Sequence, residues 1–172
     1  MTRLSDFLLL SLLLTACGGD PESRSETASA GKVEDEDVDA CTLLTPDEIK
    51  AATGWVPDTS ASKSYGTTST CAYHGEDPMK QSVVLVVARP APKVSTSGEL
   101  AARRNEQAQR QPDIKMVITP VEGLGVPAVR SEVEGSEHPT IEAVVGKRLL
   151  GVTTSDFETT KALVPKAAAR LQ

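Results

Sequence analysis

A short apolar run near the N-terminus limits which part of this chain is left to fold. Residues 7–14 read FLLLSLLL, and the small residues Thr15 and Ala16 follow them, directly before Cys17. A polar lead, an apolar core and then small residues are typical of a secretory signal peptide. A bilayer span needs roughly 20 apolar residues, so this run is too short for a permanent transmembrane helix. We therefore predict that residues 1–16 are a signal peptide and that the rest of the chain is exported.

The position of Cys17 adds an anchor to this prediction. The sequence Leu14-Thr15-Ala16-Cys17 resembles the lipobox of bacterial lipoproteins, in which the cysteine is lipidated on sulfur and becomes the new N-terminus. One acyl chain holds a protein only marginally, whereas a diacylglyceryl group anchors it stably. The resemblance implies a lipid anchor of the palmitate type on the extracytoplasmic side of the cell membrane, or in the outer membrane where the host has one. An ordinary signal peptide that leaves a cysteine is the alternative.

The net charge of −6 is concentrated in one segment. Residues 18–40 hold eight acidic and two basic residues, whereas residues 41–172 hold fifteen of each. Low hydrophobicity with clustered like charge buries too little surface to offset the entropy of ordering. We predict that residues 17–40 comprise the lipidated cysteine and a disordered acidic tether. An acidic docking segment or a cation binder is the alternative interpretation.

The remaining residues, 41–172, are enough for one globular domain with a single core. This core must be aliphatic, because the region contains only four aromatic residues, Trp55, Tyr65, Tyr73 and Phe157. A neutral domain with so few aromatic side chains lacks the basic surface that nucleic acids require. We predict no nucleic-acid partner. The expected partners are the membrane, through Cys17, and an envelope protein or a small ligand.

Two cysteines remain once Cys17 is assigned to the lipid. Cys41 and Cys71 would then form a pair in an oxidising compartment, where disulfides persist. Neither cysteine belongs to a CxxC motif, which disfavours a catalytic or metal-binding dithiol. We predict a Cys41–Cys71 disulfide.

Local signals predict three helices. The clearest is a helix over about 46–53, where Thr45 is the N-cap, Glu48 completes a capping box and Gly54 ends the helix. A second helix is expected over 98–111, with Arg103, Arg104 and Arg110 in solvent, and a third after Ser155 or Asp156.

Apolar patterns predict strands over residues 70–74, 82–88, 114–119, 128–133, 140–145 and 148–153. The continuous apolar run in 82–88 favours a central strand buried on both faces. The region 58–69, rich in Ser, Thr and Gly, is predicted to be a loop. Together these elements predict an α+β fold, with an antiparallel sheet of about five to six strands, helices packed on it and one disulfide.

Three short motifs carry a family resemblance that spans most of residues 41–172. They are Cys41-Thr42-Leu43-Leu44-Thr45, Cys71-Ala72-Tyr73 and Gly123-Leu124-Gly125. This pattern resembles a family of uncharacterised bacterial lipoproteins of the actinobacterial type. The resemblance implies a disulfide-stapled extracytoplasmic domain, and it implies no known activity or catalytic residues. This chain has Val126 where the family usually has Asp.

Two acidic turns contain the only histidines. They hold His74, Glu76 and Asp77 in one turn and Glu137 and His138 in the other. If these turns converge, imidazole and carboxylate groups could bind a zinc-like cation. Exposed polar turns are the alternative interpretation.

The three arginines of the second helix offer another possible site. They could bind an anionic envelope polymer or lipid, and a solvated helix face is the alternative. No GxSxG nucleophile elbow is present. We predict no catalytic residues and no cofactor. The expected function is a non-catalytic binding or accessory domain of a membrane-anchored lipoprotein. A metal-binding protein or metal-dependent hydrolase that uses the His74 and His138 turns is the alternative.

Overall fold

The structure is a computed structural model that describes residues 37–172. The predicted signal peptide, Cys17 and most of the predicted tether lie outside the described residues. The elements in chain order are a 3₁₀ turn (Ala40–Thr42), α1 (Pro46–Thr53), β1 (Thr59–Tyr65), β2 (Thr68–His74), β3 (Ser82–Ala88), α2 (Ser97–Gln109), β4 (Met116–Val121), β5 (Ala128–Val133), β6 (Thr140–Val145), β7 (Arg148–Thr153) and α3 (Phe157–Ala169). Within 37–172 no helix is both long and apolar enough to cross a membrane.

The strands of this region form one antiparallel sheet in the order β1-β2-β3-β7-β6-β5-β4. Strands β1 to β3 make one meander and β4 to β7 make another, and the pairing of β3 with β7 joins the two. The predicted α+β class, the antiparallel sheet and the Cys41–Cys71 disulfide are confirmed. The sheet has seven strands in the described chain, so the expected number of five to six was too low.

The additional strand is β1, which occupies the region that was predicted to be a loop. Its sequence is TSASKSY, and all seven residues pair with β2 across a tight turn at Gly66. The strand lies at the edge of the sheet, where one side of the backbone faces solvent and polar side chains are tolerated. The loop prediction was wrong because an edge strand held by a hairpin partner needs no apolar face of its own.

One face of the sheet carries the main core. Residues of six strands point into it and are buried there: Cys71, Tyr73, Val83, Leu85, Val87, Val121, Ala128, Ile141, Ala143, Val145, Leu150 and Val152. Helices α1 and α3 cover this face and bury Ile49, Leu163 and Val164 completely. Burial of large aliphatic side chains is the main favourable contribution to folding here, at about 1.5–3 kcal/mol for each Val, Leu or Ile.

Strand β3 confirms only part of its prediction. It lies inside the sheet, paired with β2 on one side and β7 on the other. Val83, Leu85 and Val87 are buried in the main core, whereas Val84 and Val86 on the opposite face are half-buried. The prediction of full burial on both faces was wrong, because no helix of the described chain packs over β3 on its second side.

The disulfide and one tyrosine fasten the start of the described chain to β2. Cys41 and Cys71 are bonded, with their Cα atoms 5.0 Å apart. The Tyr73 hydroxyl lies 2.7 Å from the carbonyl oxygen of Cys41 and 2.9 Å from that of Leu44. Burial is the main cause that raises the pKa of Tyr73 above its usual value. The tyrosine therefore stays a neutral hydrogen-bond donor at physiological pH.

Two residues that were assigned to the tether belong to the folded part of the chain. The Asp39 carboxylate accepts a hydrogen bond from the Cys41 backbone N–H and caps the 3₁₀ turn. Ala40 is fully buried, and its N–H donates to the Ser69 hydroxyl at 3.0 Å. The packed region thus begins before residue 41, because a buried Ala and a capping Asp are part of the first turn.

Helix α1 starts as its sequence predicts and is also joined to the end of α3. Thr45 and Glu48 form the capping box. Glu48 in addition accepts two hydrogen bonds from the Arg170 guanidinium, each 2.9 Å long. The arginine also donates to the Leu43 carbonyl at 2.8 Å. Because Arg170 hydrogen-bonds the carboxylate, the pKa of Glu48 falls from 4.5 to about 2.

Opening the disulfide should destabilise the domain. The bond closes a loop with a sequence separation of 30. In the chain-entropy model, reduction should lower the free energy of unfolding by about 3–4 kcal/mol, because the unfolded chain regains freedom. Urea unfolding of the Cys17→Ser chain, with and without a reducing agent, measures the change. Thiol titration of the unreduced, unfolded chain is the control and should find no free thiol. An unchanged midpoint after reduction would contradict the expectation.

The Glu48–Arg170 pair should make stability depend on acidity. The pKa of Glu48 is lowered in the folded state, so its contribution is present above pH 4.5 and is lost as the pH falls toward about 2. Glu48→Gln keeps a side-chain acceptor for the Thr45 N–H but removes the charge. The free energy of unfolding of the wild type should decrease between those two pH values. In the Glu48→Gln variant we expect a smaller decrease. Urea unfolding at a series of pH values measures the decrease. Glu158→Gln, on an exposed position of α3, should leave it unchanged.

Candidate binding face

The second face of the sheet is covered over only part of its width. Helix α2 lies across β4 and β5, where Leu100 and Ala101 pack against Val129 and Val144 in a small second core. On the other side of β6, the same face of β7, β3, β2 and β1 carries no helix within residues 37–172. Within the part of the chain that the structure describes, about half of this face therefore has no helix above it.

We call this surface the open face, and it is formed by half-buried residues of three adjacent strands. They are Thr70, Ala72, Val84, Val86, Gly151 and Thr153. The strand register places Val86 between Thr70 and Gly151, and Val84 between Ala72 and Thr153. The backbone groups of β3 are paired with strands on both sides, so the open face presents methyl groups and hydroxyls. A surface of this kind favours an apolar ligand with few polar groups.

Gly151 forms the lowest part of the open face. It lies between Val86 of β3 and Glu142 of β6. A Cβ atom built on Gly151 would lie 3.6 Å from the Val86 Cβ, which is an ordinary contact distance. The position has room for a side chain, and a glycine inside a strand weakens the strand. Glycine at such a position commonly marks the close approach of a ligand or another backbone.

A partly buried ion pair separates the open face from α2. The Arg104 Nε atom lies 2.6 Å from the Glu142 Oε2 atom, and the two side chains are 20% and 24% exposed. The contact is not an aligned hydrogen bond, so the attraction is mainly electrostatic. Arg104 Nη1 also donates to Gln107 Oε1 at 2.7 Å.

The prediction that Arg104 is in solvent was wrong. Its side of α2 faces the sheet, where Glu142 supplies an opposite charge. Arg103 and Arg110 are exposed, as predicted.

Two cavities lie along β7, one beside Leu149 and one beside Thr153. One is a groove of about 560 Å³ between α2 and the segment Pro90–Pro92. Its apolar lining includes Leu100 and Leu149, and its polar lining includes Arg103, Arg104, Arg110 and Glu106. Ligand sites commonly have volumes of about 300–1,000 Å³ and combine apolar walls with a few polar groups. The volume of the groove lies in this range, and its lining is divided equally between apolar residues and charged or polar ones.

The second cavity has a volume of about 200 Å³ and is lined by the β2–β3 turn and the end of β7. Met79, Val84, His138 and Thr153 contribute to its walls. Val84 and Thr153 belong to the open face as well, so this cavity continues from it. Met79 is 80% exposed at its rim.

The residues proposed as metal ligands occupy these turns without forming a metal site. His74 is the last residue of β2, and Glu76 and Asp77 follow it. Asp77 accepts a hydrogen bond from the Met79 backbone N–H and lies 3.7 Å from Lys80. Glu137 and His138 lie in the exposed β5–β6 turn. Within residues 37–172 no three His, Cys, Asp or Glu side chains group closely enough to hold a metal ion.

Sequence reasoning missed the roles of Gly151 in the open face and of Glu142 at its boundary. Gly151 lies inside a strand that was predicted correctly, and a glycine within an apolar strand pattern was the available signal. Glu142 gave no comparable signal. Its role depends on α2 lying across the neighbouring strands, and this packing is not encoded in either segment alone.

Comparisons with known proteins do not assign this domain. No protein-family model matches the chain, and no curated protein matches it. Among solved structures, a GTP-binding regulator from Thermotoga maritima aligns with 74% of this chain and 87% of its own, at 9% identity. Its TM-score is 0.34, and at that value the likeness supports no conclusion about fold or function.

Removing one partner of the Arg104–Glu142 pair should lower the free energy of unfolding more than removing one partner of an exposed ion pair on α2. Glu142→Gln leaves the partly buried Arg104 charge without its partner, so we expect the free energy of unfolding to fall by about 1–3 kcal/mol. Arg110→Gln is the matched control. Arg110 pairs with Glu106, and their side chains are 75% and 68% exposed, so the loss should stay below about 0.5 kcal/mol. Urea unfolding compares the two variants, and equal losses would contradict the assignment.

Proposed function

We propose that this protein is a lipid-anchored lipoprotein of the cell envelope and that its single domain binds a ligand on the open face. The observation that carries the binding role is the half-covered sheet. A face lined by methyl groups and hydroxyls has a glycine at its lowest point, and cavities lie beside Leu149 and Thr153 of the same strand. Exposed apolar surfaces that join well-formed cavities are typical of binding sites.

The anchoring part of the proposal is supported by sequence and by the disulfide. Cys17 follows Leu-Thr-Ala at the end of a short apolar run. The Cys41–Cys71 bond suits an oxidising compartment outside the cytoplasm. The acidic residues between Cys17 and the domain would be repelled by anionic lipid, which would hold the domain away from the bilayer surface.

A binding role agrees better with the groups on the open face than a catalytic role does. Arg104 and Glu142 neutralise each other, and the residues that define the open face are aliphatic, threonine or glycine, with His138 in the adjoining cavity. Catalysis of bond cleavage requires a positioned nucleophile or an acid–base group within reach of the substrate. Methyl groups and a closed ion pair are instead suited to hold and orient a ligand.

Removal of the lipidated cysteine should release the protein. In the native host, the wild type should be found in the membrane fraction and should incorporate a labelled palmitate analogue. Cys17→Ser should move to the soluble fraction or the medium and should carry no label, because the thioether that holds the lipid cannot form. Ser23→Ala is the control, since it changes a residue shortly after Cys17, leaves the three cysteines in place and should keep both the label and the membrane location. Labelled, membrane-bound Cys17→Ser protein would contradict lipidation at this residue.

A further inference from the structure

We infer that the ligand of the open face is an anionic amphiphile, namely an aliphatic chain with a carboxylate or phosphate head. This inference rests on the proposed binding function and specifies its ligand. The head would lie in the groove between α2 and Pro90–Pro92, and the chain would lie over Gly151 toward the cavity beside Met79.

The charges in the groove favour an anionic head. Three arginines line the groove, and two of them already have acidic partners: Arg104 contacts Glu142, and Arg110 contacts Glu106. Arg103 is exposed beside them and has no ion-pair partner within residues 37–172. The groove therefore has one uncompensated positive charge, carried by a guanidinium that can form paired hydrogen bonds with a carboxylate or a phosphate.

Further cations lie on the other side of the Pro90–Pro92 segment. A cavity of about 310 Å³ there shares these prolines with the groove and is lined in part by Lys93 and Lys147. The Ala91 N–H donates to the Lys147 carbonyl at 2.9 Å, which holds the segment against the β6–β7 hairpin. Neighbouring cations raise the local concentration of anions near a groove even when they do not touch the ligand.

The floor between the two cavities suits an aliphatic chain. Leu149 lines the groove, and Thr153 lines the cavity beside Met79. These two residues are four positions apart on β7, a distance of about 13 Å at the usual rise of a strand. Gly151 lies midway between them and leaves a depression next to Val86. Met79 at the far end is a flexible apolar side chain that can adjust to chains of different length.

An acidic peptide fits this surface less well. A peptide laid on a sheet face brings its own N–H and C=O groups out of water, and each needs a partner. The strands beneath the open face are paired on both sides, so their backbones offer no such partner. A hydrocarbon chain has no polar groups to satisfy. The open face therefore favours an amphiphile, and peptide binding becomes an outcome of the test.

The test uses the full chain with Cys17→Ser, so that it carries no lipid of its own. Isothermal titration compares dodecanoate and dodecyl phosphate, below their micelle concentrations, with dodecanol, inorganic phosphate and a hexaglutamate peptide. We expect dodecanoate and dodecyl phosphate to bind and the other three probes to bind at least tenfold more weakly. Backbone NMR shifts should change at Gly151 and its strand neighbours. Comparison of octanoate with hexadecanoate then shows how affinity depends on chain length.

Two variants separately test the proposed contacts with the head of the ligand and with its chain. Arg103→Gln should weaken binding of dodecanoate about tenfold, because one charge-assisted hydrogen-bonding group is lost. Gly151→Val should weaken it at least tenfold by filling the depression in the floor. Lys50→Gln removes an exposed cation from α1, which covers the opposite face, and Ser60→Val enlarges an exposed side chain on β1. Both controls should bind like the wild type. Thermal unfolding confirms that every variant is folded.

The outcomes separate this inference from the proposed function. The inference of an anionic amphiphile would be overturned by any of three results. These are equal binding of dodecanol and dodecanoate, binding of hexaglutamate alone, and no effect of Arg103→Gln and Gly151→Val. In another outcome, none of the probes binds while an extract of envelope small molecules changes the NMR shift of Gly151. That result overturns the inference of an anionic amphiphile and supports the proposed binding function. If neither the probes nor the extract shifts the open face, both are overturned.

Discussion

The packing of α1 and α3 together on one face of the sheet is the constraint on which the rest of this domain depends. These helices come from opposite ends of the described chain, and their buried aliphatic residues close the main core over β2, β3, β7 and β6. The Arg170–Glu48 pair joins the helix ends at the rim, and the disulfide holds the preceding turn against β2. Because the core is nearly free of aromatic side chains, its stability depends on the completeness of this cover.

The second face differs because one helix is left to cover it. Helix α2 covers β4 and β5 and reaches Val144 of β6, and the Arg104–Glu142 pair separates the small core beneath it from the uncovered strands. Burial of a charged group is costly unless the group keeps its partner, so this ion pair limits how far the apolar packing extends. A ligand at the boundary would have to leave both charges paired. One face of the sheet is therefore filled by the main core, and the uncovered part of the other face is the surface that we propose binds a ligand.

Local signals in the sequence predicted local structure well. The Thr45–Glu48 capping box and Gly54 defined α1, and the apolar runs located six of the seven strands in the described region. The misses arose where the outcome depends on distant neighbours. The polar residues of β1 form a strand because β2 lies beside them, and Arg104 is paired because the packing of α2 brings Glu142 to it. The open face itself follows from which strands α2 does not reach, and no short segment encodes that.

The order of the strands also has a consequence for how the sheet assembles. Each meander closes through short turns, whereas β3 and β7 meet only after the intervening chain, with its own helix and three strands, has been arranged. The contact between the two meanders thus has a high contact order and should form late in folding. Val86 and Gly151 face each other across that seam. A molecule held above them would contact both meanders at once, so its binding energy would also oppose the separation of the sheet along its last-formed pairing.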